Sequence, residues 1–480
     1  MVRALDYFII VSYLIIIAVI GLVTAGRNSS AKDYFLGAKS IPWWAVCFSI
    51  VAAETSALTF ISIPGLAYLT NMNFLQVVIG YLIGRIIVAY VFLPAYFKGE
   101  LTTAYAFLEK RFGIKSRYFA SVVFLFTRTA ADGVRLFATA IPIKLLLGIS
   151  YPSAILIIMI IAIIYSIIGG VRSVIWVDVL QMIIYIGGAI ITIYYSLNFL
   201  IPGGMQNFIN IAWNEGKLQI FNLGSFTDLK DFFAKPYSLL GGIIGGAFLS
   251  MASHGADQFI IQRLFTTGDL KASRKAIIGS GIIVLIQFVL FLLVGVCLYV
   301  YYGKLDIRAD EIFPKFIIEM LPAGISGLII AGLLAAALST LAGSINSLAS
   351  STMMDIFRIH PDKMKEPKTI NLSRGIALFW AMALVGAALF FMNTTQSVVE
   401  LALGISSFTY GGLLGTFLLG LIVKRANQED ALAAFTAGIF IMITVIALKL
   451  TAWTWFTLIG VSATLALGFM LSRINKKIKL

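Results

Sequence analysis

The sequence predicts an all-α polytopic membrane protein with about thirteen transmembrane helices. Its core is a five-plus-five inverted repeat containing two discontinuous helices. Three observations predict this. Sixty per cent of the 480 residues are hydrophobic and only 12% are charged, against roughly 25% charged in a soluble domain. The apolar residues fall in runs of about twenty or more, long enough to cross a bilayer. Two of those runs carry glycines and polar residues at mid-membrane, in corresponding places of two five-span blocks.

The spans read 4–24, 43–70, 73–97, 118–147, 151–170, 174–200, 237–261, 275–302, 321–356, 371–392, 396–423, 428–449 and 452–473. They form one transmembrane domain over 1–480, with no soluble domain. An extra N-terminal helix (4–24) precedes a first repeat (43–200), a second repeat (237–423) and two C-terminal helices (428–473). The first span is not a cleavable signal: Asp6 opens it, and its positive charge is heavier after the apolar run than before it. The longest loop, 201–236, carries a short helix around Gln206–Glu215, and 98–117 reads as an interfacial helix with a basic end.

The net charge of +14 is topology, not nucleic-acid chemistry. With the N-terminus outside, the alternate loops starting at 25–42, together with the tail, hold 23 of the 36 Lys and Arg. Arg263 is counted among these loop charges. That is the positive-inside rule, and it places the C-terminal Arg473, Lys476, Lys477 and Lys479 in the cytoplasm. The expected location is a plasma membrane, the inner membrane of a bacterium, with a monomer as the working unit. Cys47 and Cys297 lie within or near spans and have no disulfide or metal spacing.

The broken helices point to transport. Residues 43–70 contain Ala52-Ala53-Glu54-Thr55-Ser56-Ala57 and then Pro64-Gly65. Residues 237–261 begin with Gly241-Gly242 and Gly245-Gly246, then reach Ser250, Ser253, His254, Asp257 and Gln258. An odd number of spans per block inverts the second block, and paired broken helices in inverted halves are a pointer to a secondary-transport site. Farther on, Leu338-Ser339-Thr340-Leu341 lies in an apolar run. Lipid offers such hydroxyls no partner, so they face protein, water or an ion, and uncharged oxygens suit a monovalent cation. Packing of small residues at a helix interface is the competing role.

The stretch Gly169-Gly170-Val171-Arg172-Ser173 followed by Trp176-Val177-Asp178-Val179-Leu180-Gln181 resembles the signature of the sodium/solute symporters. That family includes bacterial proline, galactose and sialic acid carriers and the animal sodium–glucose carriers. The resemblance continues at residues 41–45, 56–65, 84–113, 257–263 and 337–350, so it covers nearly the whole chain. It implies a carrier, not an enzyme, that imports a small polar organic solute by alternating access with Na⁺ as the co-transported ion. The solute classes left open are a sugar, a sugar acid such as sialic acid, or a small carboxylate. An amino acid also fits if Glu54 reads its ammonium. Carried over to this chain, the sodium site would use carbonyls of Ala52, Thr55 and Ala336 and hydroxyls of Ser339 and Thr340. Asp178 matches an acid that some relatives use for a second sodium, but the partner places one turn along are Ala342 and Gly343, without hydroxyls. One sodium is therefore expected, with Asp178 tuning its site or pairing with a basic residue in a gate. A proton-coupled carrier would instead titrate Glu54 or Asp178. A channel pore or a set of catalytic residues is not evident.

The solute site is expected at the breaks and on the helices facing them. The candidates are Glu54, Ser56 and Thr59; Phe74 and Gln76; Arg135; Asp257, Gln258 and Phe259; and Ser406, Ser407, Thr409 and Tyr410. Polar groups would orient the solute and aromatics would cover it, with packing as the competing role at each position. Glu54 needs a partner, either solute or an arginine such as Arg85. Arg128, Asp132 and Arg135, at spacings of four and three, share one helix face. They form either a closed ion network or one with a guanidinium left over for a carboxylate. His254 reads as a hydrogen-bonded interior residue.

Overall fold

The computed structural model describes residues 4–24, 41–98, 104–168, 171–224, 228–359, 367–394 and 396–478. Among these residues the chain is helical, with no strand. This is what a bilayer requires, because each backbone N–H and C=O must be satisfied within its own segment. The first helix is α1 (Ala4–Thr24). A bent pair follows, α2 (Trp43–Glu54) and α3 (Ala57–Leu69), then α4 (Leu75–Lys98). Next come the short α5 (Ala104–Phe112), the long α6 (Ile114–Leu147), α7 (Tyr151–Ile168) and α8 (Val171–Tyr195). After the short α9 (Gly204–Asn214) and α10 (Leu229–Ala234), a second bent pair comprises α11 (Leu239–Gly255) and α12 (Gln258–Phe265). The remaining helices are α13 (Leu270–Tyr302), α14 (Ala309–Glu319), α15 (Ile325–Ser351), α16 (Pro367–Phe391), α17 (Val398–Ile422), α18 (Gln428–Ala447) and α19 (Phe456–Ile478). Among the described residues eight helices are long and apolar enough to cross a membrane, or up to eleven if each bent pair is one span. The protein is a multi-pass membrane protein. Its outer surface is apolar: Phe126 is 75% and Phe390 80% exposed.

The α2–α3 and α11–α12 pairs both bend by 61°. A third pair, α6–α7, turns by 111° at Gly148, which takes a left-handed φ of 68° and donates its N–H to the Lys144 carbonyl at 2.8 Å. Only glycine reaches that conformation without strain. The stretch 98–117 is not one interfacial helix: Gly113, with φ 110°, separates α5 from α6, and α6 starts at Ile114. The short helix expected in the 201–236 loop is α9. Residues 169–170 of the signature motif lie outside the described residues.

Packing repeats with the halves exchanged. Helix α4 packs on α11, and α13 packs on α2 and α3. Helix α6 packs on α16 and α17, and α15 packs on α7 and α8. Helix α8 packs on α2, and α17 packs on α11. The α4–α11 seam is close. A Cβ at Gly246 would stand 2.2 Å from the Val77 carbonyl oxygen, and one at Gly84 would stand 2.4 Å from that of Ala247. Glycine is required there because the two backbones touch.

Charged side chains close helix ends across the fold. Lys217 donates to the carbonyls of Tyr68 and Thr70 at the C-terminal end of α3, at 2.7 and 2.9 Å. Arg111 donates to the carbonyls of Gly420, Val423 and Ala426 where α17 ends. Both cations satisfy orphan carbonyls at the negative pole of a helix.

Candidate functional site

The two breaks hold the polar groups of the core. At the first, Thr55 N–H still reaches the Val51 carbonyl at 2.7 Å, and the ladder resumes with Phe60 N–H donating to the Ser56 carbonyl at 3.2 Å. Carbonyls 52–55 lie across this interruption. The Thr55 hydroxyl donates to Gln287 Oε1 on α13 at 2.9 Å, and the Thr59 hydroxyl donates to the Glu54 carbonyl at 3.1 Å. The Ser56 hydroxyl is buried and has no partner among the described residues. Glu54 pairs with Arg85 of α4, which is fully buried and also donates to the Ser280 hydroxyl at 3.0 Å. His254 Nε2 stands 3.8 Å from the same carboxylate. Arg85 is the arginine that the sequence offered as a partner for Glu54.

Asp178 of α8 joins three elements. It accepts from the Ser49 hydroxyl of α2 at 2.7 Å and from the Ser339 hydroxyl of α15 at 3.5 Å. It pairs with Arg263 of α12 at 3.5 Å. Arg263 also donates to the Ser49 hydroxyl and the Phe259 carbonyl, both at 3.0 Å. All of these residues are buried. Ser339 therefore lies beside a carboxylate that also holds Ser49 of α2, and Thr340 is the next residue on α15. The Ser339 and Thr340 hydroxyls and the interrupted carbonyls are hard oxygen donors of the kind a sodium ion takes.

A second charged cluster surrounds α6. Arg128, Asp132 and Arg135 share one face, as their spacing requires, and Asp132 is paired with both arginines. Arg128 further donates to the Ser344 hydroxyl at 3.1 Å and stands 3.8 Å from Asp257. Asp257 opens α12 by accepting the Phe259 N–H at 2.8 Å, and it accepts the Tyr410 hydroxyl at 2.6 Å. The Phe259 ring lies between two guanidiniums, 4.3 Å from that of Arg128 and 4.0 Å from that of Arg263. It thus touches both charged clusters. A narrow cavity opens among Thr127, Arg128, Arg135, Asp257, Ser406 and Tyr410. Its free space of about 10 Å³ suits a single water.

Arg135, Asp257, Ser406, Thr409 and Tyr410 line the cavity, and Phe259 stands beside it. Glu54, Ser56 and Thr59 sit at the first break. Three other candidates have different partners. Gln76 donates to the carbonyls of Asn73 and Tyr237 and accepts from Asn222 N–H, so its amide fastens the loop that carries α9 and α10. Phe74 stacks on Phe288 with ring centres 5.6 Å apart. Gln258 points away from the cavity and accepts the Ala104 N–H at 2.6 Å, at the start of α5. A polar side chain near a break serves whichever backbone group lies closest. Among the residues that sequence reading missed is Arg263, counted as a loop charge although its place one helical turn after Phe259 sets it near the break. Ser49, Thr127 and Gln287 look like ordinary small or amide residues within apolar runs.

Comparison with known proteins settles the class. The model of the sodium:solute symporter family matches residues 34–438. The chain belongs to that family. The symporter is 28% identical over 483 residues to the sodium/sialic acid symporter NanT of Aliivibrio fischeri, covering 97% of this chain and 92% of the relative. It is 30% identical over 452 residues to the sodium/sialic acid symporter SiaT of Proteus mirabilis, covering 91% and 88%. The sodium/glucose cotransporter of Vibrio parahaemolyticus is 29% identical over 469 residues, covering 91% and 84%. A solved Na⁺-coupled sialic acid symporter, in a substrate-bound outward-open state, superposes with a TM-score of 0.86 at 26% identity, covering 98% of each chain. The nucleobase-cation-symport transporter Mhp1, in a closed conformation, shares the fold alone, with a TM-score of 0.59 at 14% identity and 92% and 94% coverage. The symporter is thus a sodium-coupled carrier of a small solute, not an enzyme.

Proposed function

We propose that the solute is an anionic sugar acid of the sialic acid class, bound where α6, α12 and α17 meet. Arg135 carries this reading. Asp178 has Arg263 and Glu54 has Arg85, while Arg128 is engaged by Asp132, Ser344 and Asp257. Arg135 pairs with Asp132, and its side chain lines the cavity and is 22% exposed, against 7% for Arg128 and 0% for Arg85; its Nε, like theirs, has no hydrogen-bond partner among the described residues. A guanidinium with a free edge takes a carboxylate in two parallel hydrogen bonds. Thr127, Ser406, Thr409 and Tyr410 supply hydroxyls for a polyol. The names of the sialic acid relatives point the same way.

In this reading sodium sits between the interrupted carbonyls of Ala52 and Thr55 and the Ala336, Ser339 and Thr340 oxygens. A single ion is favoured by Arg263, which already supplies positive charge to Asp178. It is also favoured by the Phe259 ring, 3.1 Å from where a Gly343 Cβ would stand, in the place a second ion's hydroxyls would need. The matched 61° bends and the exchanged helix contacts support an inverted repeat of 43–200 and 237–423 within about thirteen spans. The charge distribution supports an outside N-terminus, a cytoplasmic C-terminus and a bacterial inner-membrane location, and one chain holds every proposed site.

The test is thermal stabilisation of the purified protein by N-acetylneuraminate, its methyl ester and galactose, each with and without sodium. The acid is expected to stabilise only with sodium, and the ester not at all. Arg135→Lys, which keeps the charge but loses the planar fork, is expected to lower affinity for the acid about tenfold or more. Stabilisation by the neutral sugar in place of the acid, or full acid affinity in Arg135→Lys, would reject the proposal.

A further inference from the structure

Helix α15, which carries Ser339 and Thr340, begins without a cap of its own. Its N-cap residue is Gly324, which has no side chain to offer the first-turn N–H groups. The cap comes from α1. One oxygen of Asp6 accepts the N–H groups of Gly324 at 2.7 Å and Gly327 at 2.9 Å, and the Ser326 hydroxyl at 2.8 Å. The Gly327 contact is the one an N-cap aspartate makes to its own helix, and the Gly324 contact is the one the acid of a capping box makes to the N-cap N–H; both are supplied here by a residue 318 positions from Gly324. A carboxylate there also meets the positive pole of the helix. The approach is close: a Cβ on Gly327 would stand 2.6 Å from the Asp6 Cα.

Below this contact, Asp6, Ile10, Tyr13 and Ile17 form one buried face of α1. That face packs against both α15 and α8, the helices whose Ser339 and Asp178 meet. The two are themselves notched together. A Cβ at Gly188 of α8 would lie 3.1 Å from Ile329, and one at Gly332 of α15 would lie 2.6 Å from Ile184. From Gly327 to Ser339 is twelve residues of continuous helix, about 18 Å at 1.5 Å per residue. A rigid helix transmits the axial position of its first turn to that depth.

We infer that Asp6 is a positioning residue for the cation site: the α1 carboxylate fixes the height of α15 relative to α8, and with it the Ser339 and Thr340 hydroxyls. This rests on the proposed placement of sodium at those hydroxyls. The test compares Asp6→Ala, Asp6→Asn and Thr340→Ala in reconstituted vesicles. For each, the sodium concentration giving half-maximal uptake and the solute KM at saturating sodium are measured. Asp6→Ala is expected to raise the half-saturating sodium concentration about fivefold, at the lower end of couplings between distant sites, and to leave the solute KM within about twofold. Asp6→Asn, which keeps an acceptor oxygen but loses the charge, is expected to fall between wild type and Asp6→Ala. If Asp6→Ala is not recovered from the membrane, Asp6→Asn decides alone, with a shift of about twofold expected. A merely structural role would lower thermal stability while leaving sodium dependence unmoved. Unchanged sodium dependence in the Asp6 variants beside a shifted Thr340→Ala overturns the inference. If Thr340→Ala is unshifted too, the sodium placement itself fails.

Discussion

Exchanging Asp178 for Asn leaves Arg263 as a buried cation facing a neutral amide. The separation of 3.5 Å fixes the scale. At an effective dielectric of about 20, Coulomb attraction at that distance is about 5 kcal/mol. Arg263 keeps the Ser49 hydroxyl and the Phe259 carbonyl as acceptors, so the expected loss is about 3 kcal/mol, the lower end for orphaning one member of a buried pair. Arg263→Gln should cost a similar amount. With both charges gone neither is orphaned, so the double variant should recover about 2 kcal/mol relative to the sum of the two losses. Thermal unfolding of the four purified proteins gives the cycle, and uptake against sodium concentration gives a second reading. If Arg263 is the counter-charge of Asp178, wild-type sodium dependence is hyperbolic. Strictly additive stabilities, or a wild-type Hill coefficient near two, would refute this account of the pair.

Two further outcomes are expected. Ser339→Ala and Thr340→Ala should each raise the half-saturating sodium concentration about tenfold, the equivalent of about 1.4 kcal/mol for one lost oxygen ligand. Unchanged sodium dependence in both would remove these hydroxyls from the site. Gly246→Ala should shorten the lifetime of the protein in detergent, because its methyl group meets the Val77 carbonyl oxygen at 2.2 Å; overpacking of this kind costs about 1–3 kcal/mol. Gly386→Ala, with nothing within 4 Å, is the neutral control, and equal lifetimes for the two would contradict the close approach of α4 and α11.

The bilayer makes part of this architecture readable from sequence. It enforces apolar runs of one length, so the spanning helices stand out. It also forbids idle polar backbone, so Glu54-Thr55-Ser56 and His254 to Gln258 announce the two bent pairs. Helical spacing alone placed Arg128, Asp132 and Arg135 on one face. What remained hidden is pairing between distant segments. Arg263 was read as a loop charge because nothing local shows that Asp178 waits for it. Gln76 and Gln258 look like solute contacts until the carbonyls and N–H groups of Asn73, Tyr237, Asn222 and Ala104 come within their reach. Asp6 is a further case: in sequence it serves only as an argument against a cleavable signal, and its partners lie more than 300 residues away.

The contacts between the halves also set an order of events during synthesis. When α8 leaves the ribosome, Asp178 enters the hydrocarbon layer with Ser49 already made and Arg263 still 85 residues ahead. Thr55 must wait longer, until Gln287 is translated, and Asp6 until the turn at Gly324. The first half of the newborn chain therefore holds polar groups whose permanent partners do not yet exist. Until the second half arrives, neighbouring helices, water or the insertion machinery have to shelter them. Maturation of this carrier is thus a sequence of deferred pairings, completed only as the later spans enter the membrane.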